Sequence, residues 1–165
     1  MLASIRKNVE WRAIPIAGLI GGSAFLLVII LLGQLVTQTD WTLYIRYFAG
    51  LVMGESVLVP RPEESTAVIL IVGLLVHYVL SMLFALVIGI VVHRWGFWVG
   101  IIGGAILGLS LFYINLYTMT LIFPWFFALN SPVLAISHII FGLVAGGVYE
   151  ILDQYDMPIT GETTP

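Results

Sequence analysis

The sequence predicts an all-α integral membrane protein: a four-helix bundle with one additional interfacial helix in its outer loop, the whole of 1–165 forming a single membrane domain. Three observations carry that reading. Of the 165 residues, 61% are hydrophobic and 9% charged, whereas a soluble domain carries roughly 25% charged residues. Polar side chains are therefore too few to cover a water-facing surface, and lipid must act as the solvent. Mean hydropathy is +1.11. Four apolar runs each reach the roughly 20 residues that a helix needs to cross hydrocarbon at about 1.5 Å per residue. Such long, unbroken runs do not match the short alternating strands of a barrel, and open sheet edges cannot face lipid.

The first span runs from about Ile14 to Val36, after a charged stretch with Arg6, Lys7, Glu10 and Arg12. Pro15 falls in the first turn, where a missing N–H is tolerated. The run is longer than the apolar centre of a signal peptide, and Gln34-Leu35-Val36 makes a poor cleavage site, so the span is expected to be retained. The connection over 37–65 is longer than a bundle turn needs. Its first half places Trp41, Tyr44, Phe48 and Leu51 at helical spacing, which predicts a helix lying on the outer leaflet with Arg46 toward water or a partner. The two readings of this loop are a docking surface or lid, and a solvated linker with an aromatic anchor. Pro60 and Pro62 end regular structure, and Glu63, Glu64 and Ser65 can cap the second span, Ala67 to Val92. The third span is about Gly96 to Ile122 and the fourth Pro132 to Ile151.

Lys and Arg in the short flanks set the expected orientation, because cytoplasmic loops retain positive charge. Arg6, Lys7, Arg12 and Arg94 fall on one side, Arg46 and Arg61 on the other. That balance predicts a multi-pass membrane protein with both termini cytoplasmic and with the long loop and the Phe123 to Ser131 turn outside. Trp11, Trp95 and Trp98 would sit at the inner interface, and Trp41, Tyr44, Tyr47, Trp125 and Phe126 at the outer one.

Small residues decide how closely helices approach in lipid, where burying apolar surface brings no gain. They form rows here. The first span has Gly18 and Gly22. The second has Gly73, His77, Ser81, Ala85 and Gly89 at steps of four; the third has Gly100, Gly104 and Gly108, with Asn115 seven further on; the fourth has His138, Gly142 and Gly146, with Glu150 four further on. These rows are expected to face inward. Helix rise then puts His77 about 15 Å, Asn115 roughly 11 Å and His138 roughly 9 Å below the outer boundary. A polar cluster of His77, Asn115, His138, Ser81 and Tyr117 is expected in the outer half, above an inner half of Gly, Ala and aliphatic residues.

A histidine inside a membrane points to function by default. Three roles stay open for this cluster: hydrogen bonding between helices, passage of protons or a solute, and ligation of a haem or metal by His77 and His138 with Asn115 orienting a ring. No metal site and no cofactor is favoured. His93 lies about 24 Å from His77 along one helix, so the two cannot share a metal. Catalysis finds little support: the acidic residues lie outside the spans or at their inner boundary, no P-loop, GxGxxG or HExxH is present, and no acid can orient a His beside Ser110 or Ser137. With no Cys there is no disulfide or thiolate site. Six Lys plus Arg and a net charge of -3 leave no basic face for nucleic acid.

The stretch Ile114-Asn115-Leu116-Tyr117, then Phe123-Pro124-Trp125-Phe126, Ser131-Pro132, His138, Phe141-Gly142 and Tyr149-Glu150 resembles the C-terminal half of small uncharacterised four-span bacterial inner-membrane proteins. That resemblance covers about a third of the chain and implies no known activity. It implies that Asn115, Trp125 and His138 belong to one recurring unit. The function expected from the whole is a non-catalytic accessory or structural subunit of a bacterial inner-membrane complex, with an energy-converting complex among the candidates. Its partners would be the bilayer and other membrane subunits. The alternative is a small proton or solute channel or transporter using the outer pocket, and the third is a haem-binding bundle.

Overall fold

The computed structural model describes residues 9–60, 62–93 and 95–155. Five helices form, in the order α1 (Ala13–Leu32), α2 (Trp41–Met53), α3 (Thr66–Val92), α4 (Phe97–Ile122) and α5 (Pro132–Tyr155). Short 3-10 turns at Glu55–Leu58 and Pro124–Leu129 join them, and α1 continues into one π-helical turn, Gly33–Thr37. α1 with its π turn, α3, α4 and α5 are long and apolar enough to cross a membrane. Among the described residues there is no strand. Arg6, Lys7, Arg61 and Arg94, on which most of the charge-based orientation rests, lie outside the described residues.

Local chemistry accounts for the helix starts. The Asp40 carboxylate accepts from Thr42 N at 2.7 Å, Ser65 Oγ from Val68 N at 3.3 Å, and Ser131 Oγ from Leu134 N at 3.2 Å just before Pro132, each satisfying a donor that the helix leaves unbonded. Gly96 begins α4 at φ +91, a backbone conformation that a side chain would strain.

Because the spans are apolar nearly all round, the small residues choose the faces. α4 and α5 meet along Gly100, Gly104 and Gly108 against Gly142 and Gly146, so closely that a Cβ on Gly104 would strike Gly142 O and one on Gly146 would strike Gly100 O. α1 packs on α3 and α5: Gly18 lies on the backbone of Met82, Gly22 on Ser81 and His77, and Gly21 on Phe141 and Ala145. α4 packs almost wholly on α5, so it is the peripheral span.

The expected helix in the long loop forms over 41–53, but its apolar face turns onto the protein. Tyr44, Ile45, Phe48, Ala49 and Gly50 are buried. Gly73, expected to contact another span, instead receives the Ile45 backbone of α2. Tyr44, expected in an interfacial belt, lies over Gly33, and Trp125 packs on Tyr47 and Gly50. The reason is steric: Gly33 and Gly73 leave hollows that take Tyr44 and Ile45, and Gly50 on the helix itself makes room for Trp125, so the helix settles into the end of the bundle.

Candidate functional site

A cavity lies where the small-residue rows give way to aromatic side chains. Its polar lining is His77 and Ser81 from α3, Asn115 from α4 and His138 from α5; Phe25, Phe84 and Phe141 form much of its wall. Phe48 of α2 and Phe126 and Leu129 of the Pro124–Leu129 turn complete it on the outer side. The cavity measures about 30 Å³, room for about two waters.

His77 and His138 reach it at successive turns below the outer end. His77 Nε2 donates to Gly22 O at 3.0 Å, possible because Gly22 has no side chain to stand between α1 and α3. Ser81 Oγ donates to His77 O at 2.8 Å and lies 3.4 Å from His77 Nε2. His138 Nδ1 donates to Leu134 O at 3.0 Å. A carbonyl can only accept, so these bonds select the tautomers: the neutral rings keep their lone pairs on His77 Nδ1 and His138 Nε2. The Phe25 ring touches both imidazoles, at centroid distances of 5.4 and 5.0 Å, which bounds their separation at about 10 Å. Phe48 stacks 4.9 Å from His77, and Phe112 lies 5.7 Å from His138.

Four of the five residues expected in the polar cluster thus line one cavity. Tyr117 does not join them: it is 58% exposed on the outward face of α4. Nine residues at about 100° each put Tyr117 roughly 180° from Gly108, whereas Asn115, seven residues on, falls back near the Gly108 face. Ser110, Tyr113 and Thr118 share the outward side. Trp125, tied to Asn115 and His138 by the resemblance, sits in the outer cover against Tyr47 and Phe123 rather than on the cavity.

A bis-imidazole haem does not fit. The cavity has room for about two waters and Phe25 packs against both rings, so no macrocycle can lie between them. Among the described residues, no group of three or more His, Cys, Asp or Glu could hold a metal ion.

The other end of the bundle is not wholly apolar, because Glu150 is buried there. Expected near the inner boundary, it lies one turn before the end of α5 at Tyr155 and is 1% exposed. Its Cγ lies against Gly100, and Oε2 accepts from Gly96 N at 3.1 Å. The carboxylate so caps α4 from a neighbouring helix. Tyr149, fully buried, meets Glu10 N through its hydroxyl at 3.2 Å and fills the hollow at Gly89. The i, i+4 step from Gly146 to Glu150 agrees with this placement, since it continues the row expected to face inward.

No family model, curated protein or solved structure matches the chain.

Proposed function

We propose that this chain is a non-catalytic subunit of a larger assembly in a bacterial inner membrane, with both termini cytoplasmic and α4 turned toward a partner subunit. The observation that carries the reading is the contrast between two lipid-side faces. The outward face of α3 is aliphatic, with Ile71, Leu75, Val79 and Leu83 exposed. The outward side of α4 exposes Ile102, Ile106, Ile114 and Leu121 as well, but sets Ser110, Tyr113 and Tyr117 among them.

Tyr113 is decisive among them. It lies nine residues below the outer end of α4, a depth of about 14 Å. Side chains lean toward the helix N-terminus, which for α4 is the inner end, so the phenol is directed toward the bilayer middle and away from the outer interface. Among the described residues it has ring contact with Phe112 but no hydrogen bond. A hydroxyl left bare in hydrocarbon costs about 1–3 kcal/mol by protein mutational data; a neighbouring transmembrane helix would remove that cost. A photo-crosslinking residue placed at Tyr113 should yield protein adducts in native membranes, and one at Val79 lipid adducts. Lipid adducts alone at both positions would refute the proposal.

A second reading, passage of protons or a small solute, draws support from the imidazoles on the cavity. Proteoliposomes of the purified chain test it directly: flux abolished by His138→Phe would favour passage over the subunit role.

A further inference from the structure

The cavity poses a problem of its own, independent of any partner. In the tautomer selected by Leu134 O, His138 Nε2 carries a lone pair and has no protein partner among the described residues. Unlike Glu150 Oε1 and Arg46 Nε, it is not a sealed, unbonded atom, and the residue lines the cavity. Asn115 lines the same space, and among the described residues its amide makes no hydrogen bond. Buried polar groups are bonded to protein or to ordered molecules, because an unmet acceptor in a low-dielectric interior is strongly disfavoured; His138 is such a group, and Asn115 is half-buried beside the same space. Truly empty cavities are wholly apolar, whereas this one, though walled largely by Phe and Leu, also carries His77, Ser81, Asn115 and His138.

We infer that the cavity is a binding site for small uncharged hydrogen-bond donors, molecules the size of water or ammonia, held between His138 Nε2 and the Asn115 amide. Three features set this class. The first is size: about 30 Å³ admits about two molecules as large as water. Charge is the second, since none of the lining residues is Asp, Glu, Lys or Arg, and an ion would lose its hydration with no opposite charge to replace it. The third is hydrogen-bond polarity. An imidazole lone pair requires a donor, and the Asn115 amide can accept from the ligand or donate to it. The phenylalanine walls offer nothing that competes for those bonds.

Water and ammonia share this chemistry, and NMR of the full chain in nanodiscs, labelled with 15N, separates them. In the first arm, nuclear Overhauser cross-peaks to water are sought from the Asn115 side-chain amide and the His138 ring. In the second, ammonium chloride is titrated at each of several fixed pH values and the His138 Nε2 resonance is followed; a saturable shift that tracks the free-base concentration rather than total ammonium identifies ammonia. Either signal supports the site. His138→Phe should abolish the water cross-peak at the Asn115 side-chain amide in a variant that still unfolds cooperatively. Should that variant fail to fold, Asn115→Leu carries the test and should lower the signal at His138 several-fold. No water cross-peak and no saturable shift, with dissolved xenon instead perturbing Phe25, Phe84 and Phe141, would show a dry apolar void and overturn the inference.

Discussion

Gly104 offers the sharpest test of the packing, because a neighbouring glycine supplies an internal control. A Cβ built on Gly104 would strike Gly142 O and come within 3.0 Å of Gly142 C and 3.3 Å of Gly146 Cα. All three atoms are backbone, so no side-chain rotation relieves the clash. α4 and α5 would have to part by roughly an ångström to reach ordinary contact, and a gap of that size forfeits about a quarter to a half of each dispersion well along the seam. The overpacking cost is about 3 kcal/mol, the upper end of the usual range, against a gain of about 1 kcal/mol in helix propensity for Gly→Ala. The net loss for Gly104→Ala is therefore about 2 kcal/mol, or a fall of roughly 4–8 °C in Tm for a chain of this length. At Gly103 an added Cβ meets only Val92 Cγ1 at 3.6 Å, an ordinary contact, so Gly103→Ala should leave stability unchanged or raise it by up to about 1 kcal/mol. Tryptophan fluorescence during thermal unfolding in detergent would measure both. Equal Tm values for the two variants would refute the glycine seam, and Gly104→Leu should separate the helices outright.

Three further outcomes follow from the same contacts. The Thr42 hydroxyl and then the Thr42 N–H bond to Asp40 hold its carboxyl below the ordinary value of 3.8. A depressed value in the fold stabilises above the unfolded pKa and is lost as pH falls through the lower folded one, so the anchoring of α2 should loosen on acidification below about pH 4; hydrogen exchange at Tyr44 to Ala49 would report it, and Asp40→Ala should remove the pH dependence. His77→Leu should cost only about 0.6 kcal/mol, the average for a hydrogen bond between membrane helices, and a loss several times larger in chemical denaturation would mean that the imidazole holds more than Gly22 O. Glu150→Ala strips the cap from Gly96 N and should destabilise by about 1–3 kcal/mol; amide exchange at the start of α4 should rise before exchange at Gly108, and a uniform rise would contradict the local role.

Much of this architecture is legible in the order of residues. Span positions follow from apolar run length, which is local, and the observed helices begin and end within a few residues of the expected bounds: Thr66–Val92 against Ala67 to Val92, and Phe97–Ile122 against Gly96 to Ile122. The glycine rows are legible for a related reason. A step of four keeps residues on one helix face, and only a bare backbone permits such an approach, so Gly104 and Gly142 name their own side of the helix. The same periodicity brings His77, Ser81, Asn115 and His138 to inward faces, and applied strictly it would have excluded Tyr117.

Pairing between segments was settled by the tertiary structure alone. Both the Gly73 hollow on α3 and the apolar face of α2 are visible in the sequence, but neither says that Ile45 fills the hollow, because lipid, another span and α2 would each satisfy an apolar surface equally well. Glu150 shows the converse. Composition argues that a carboxylate belongs at the membrane edge, yet the space above Gly100 and the unbonded Gly96 N–H draw it between two helices, and that space exists only once α4 and α5 have met. Periodicity along one helix is an intrinsic property of the chain; which hollow receives which side chain depends on shapes that form only when the helices come together.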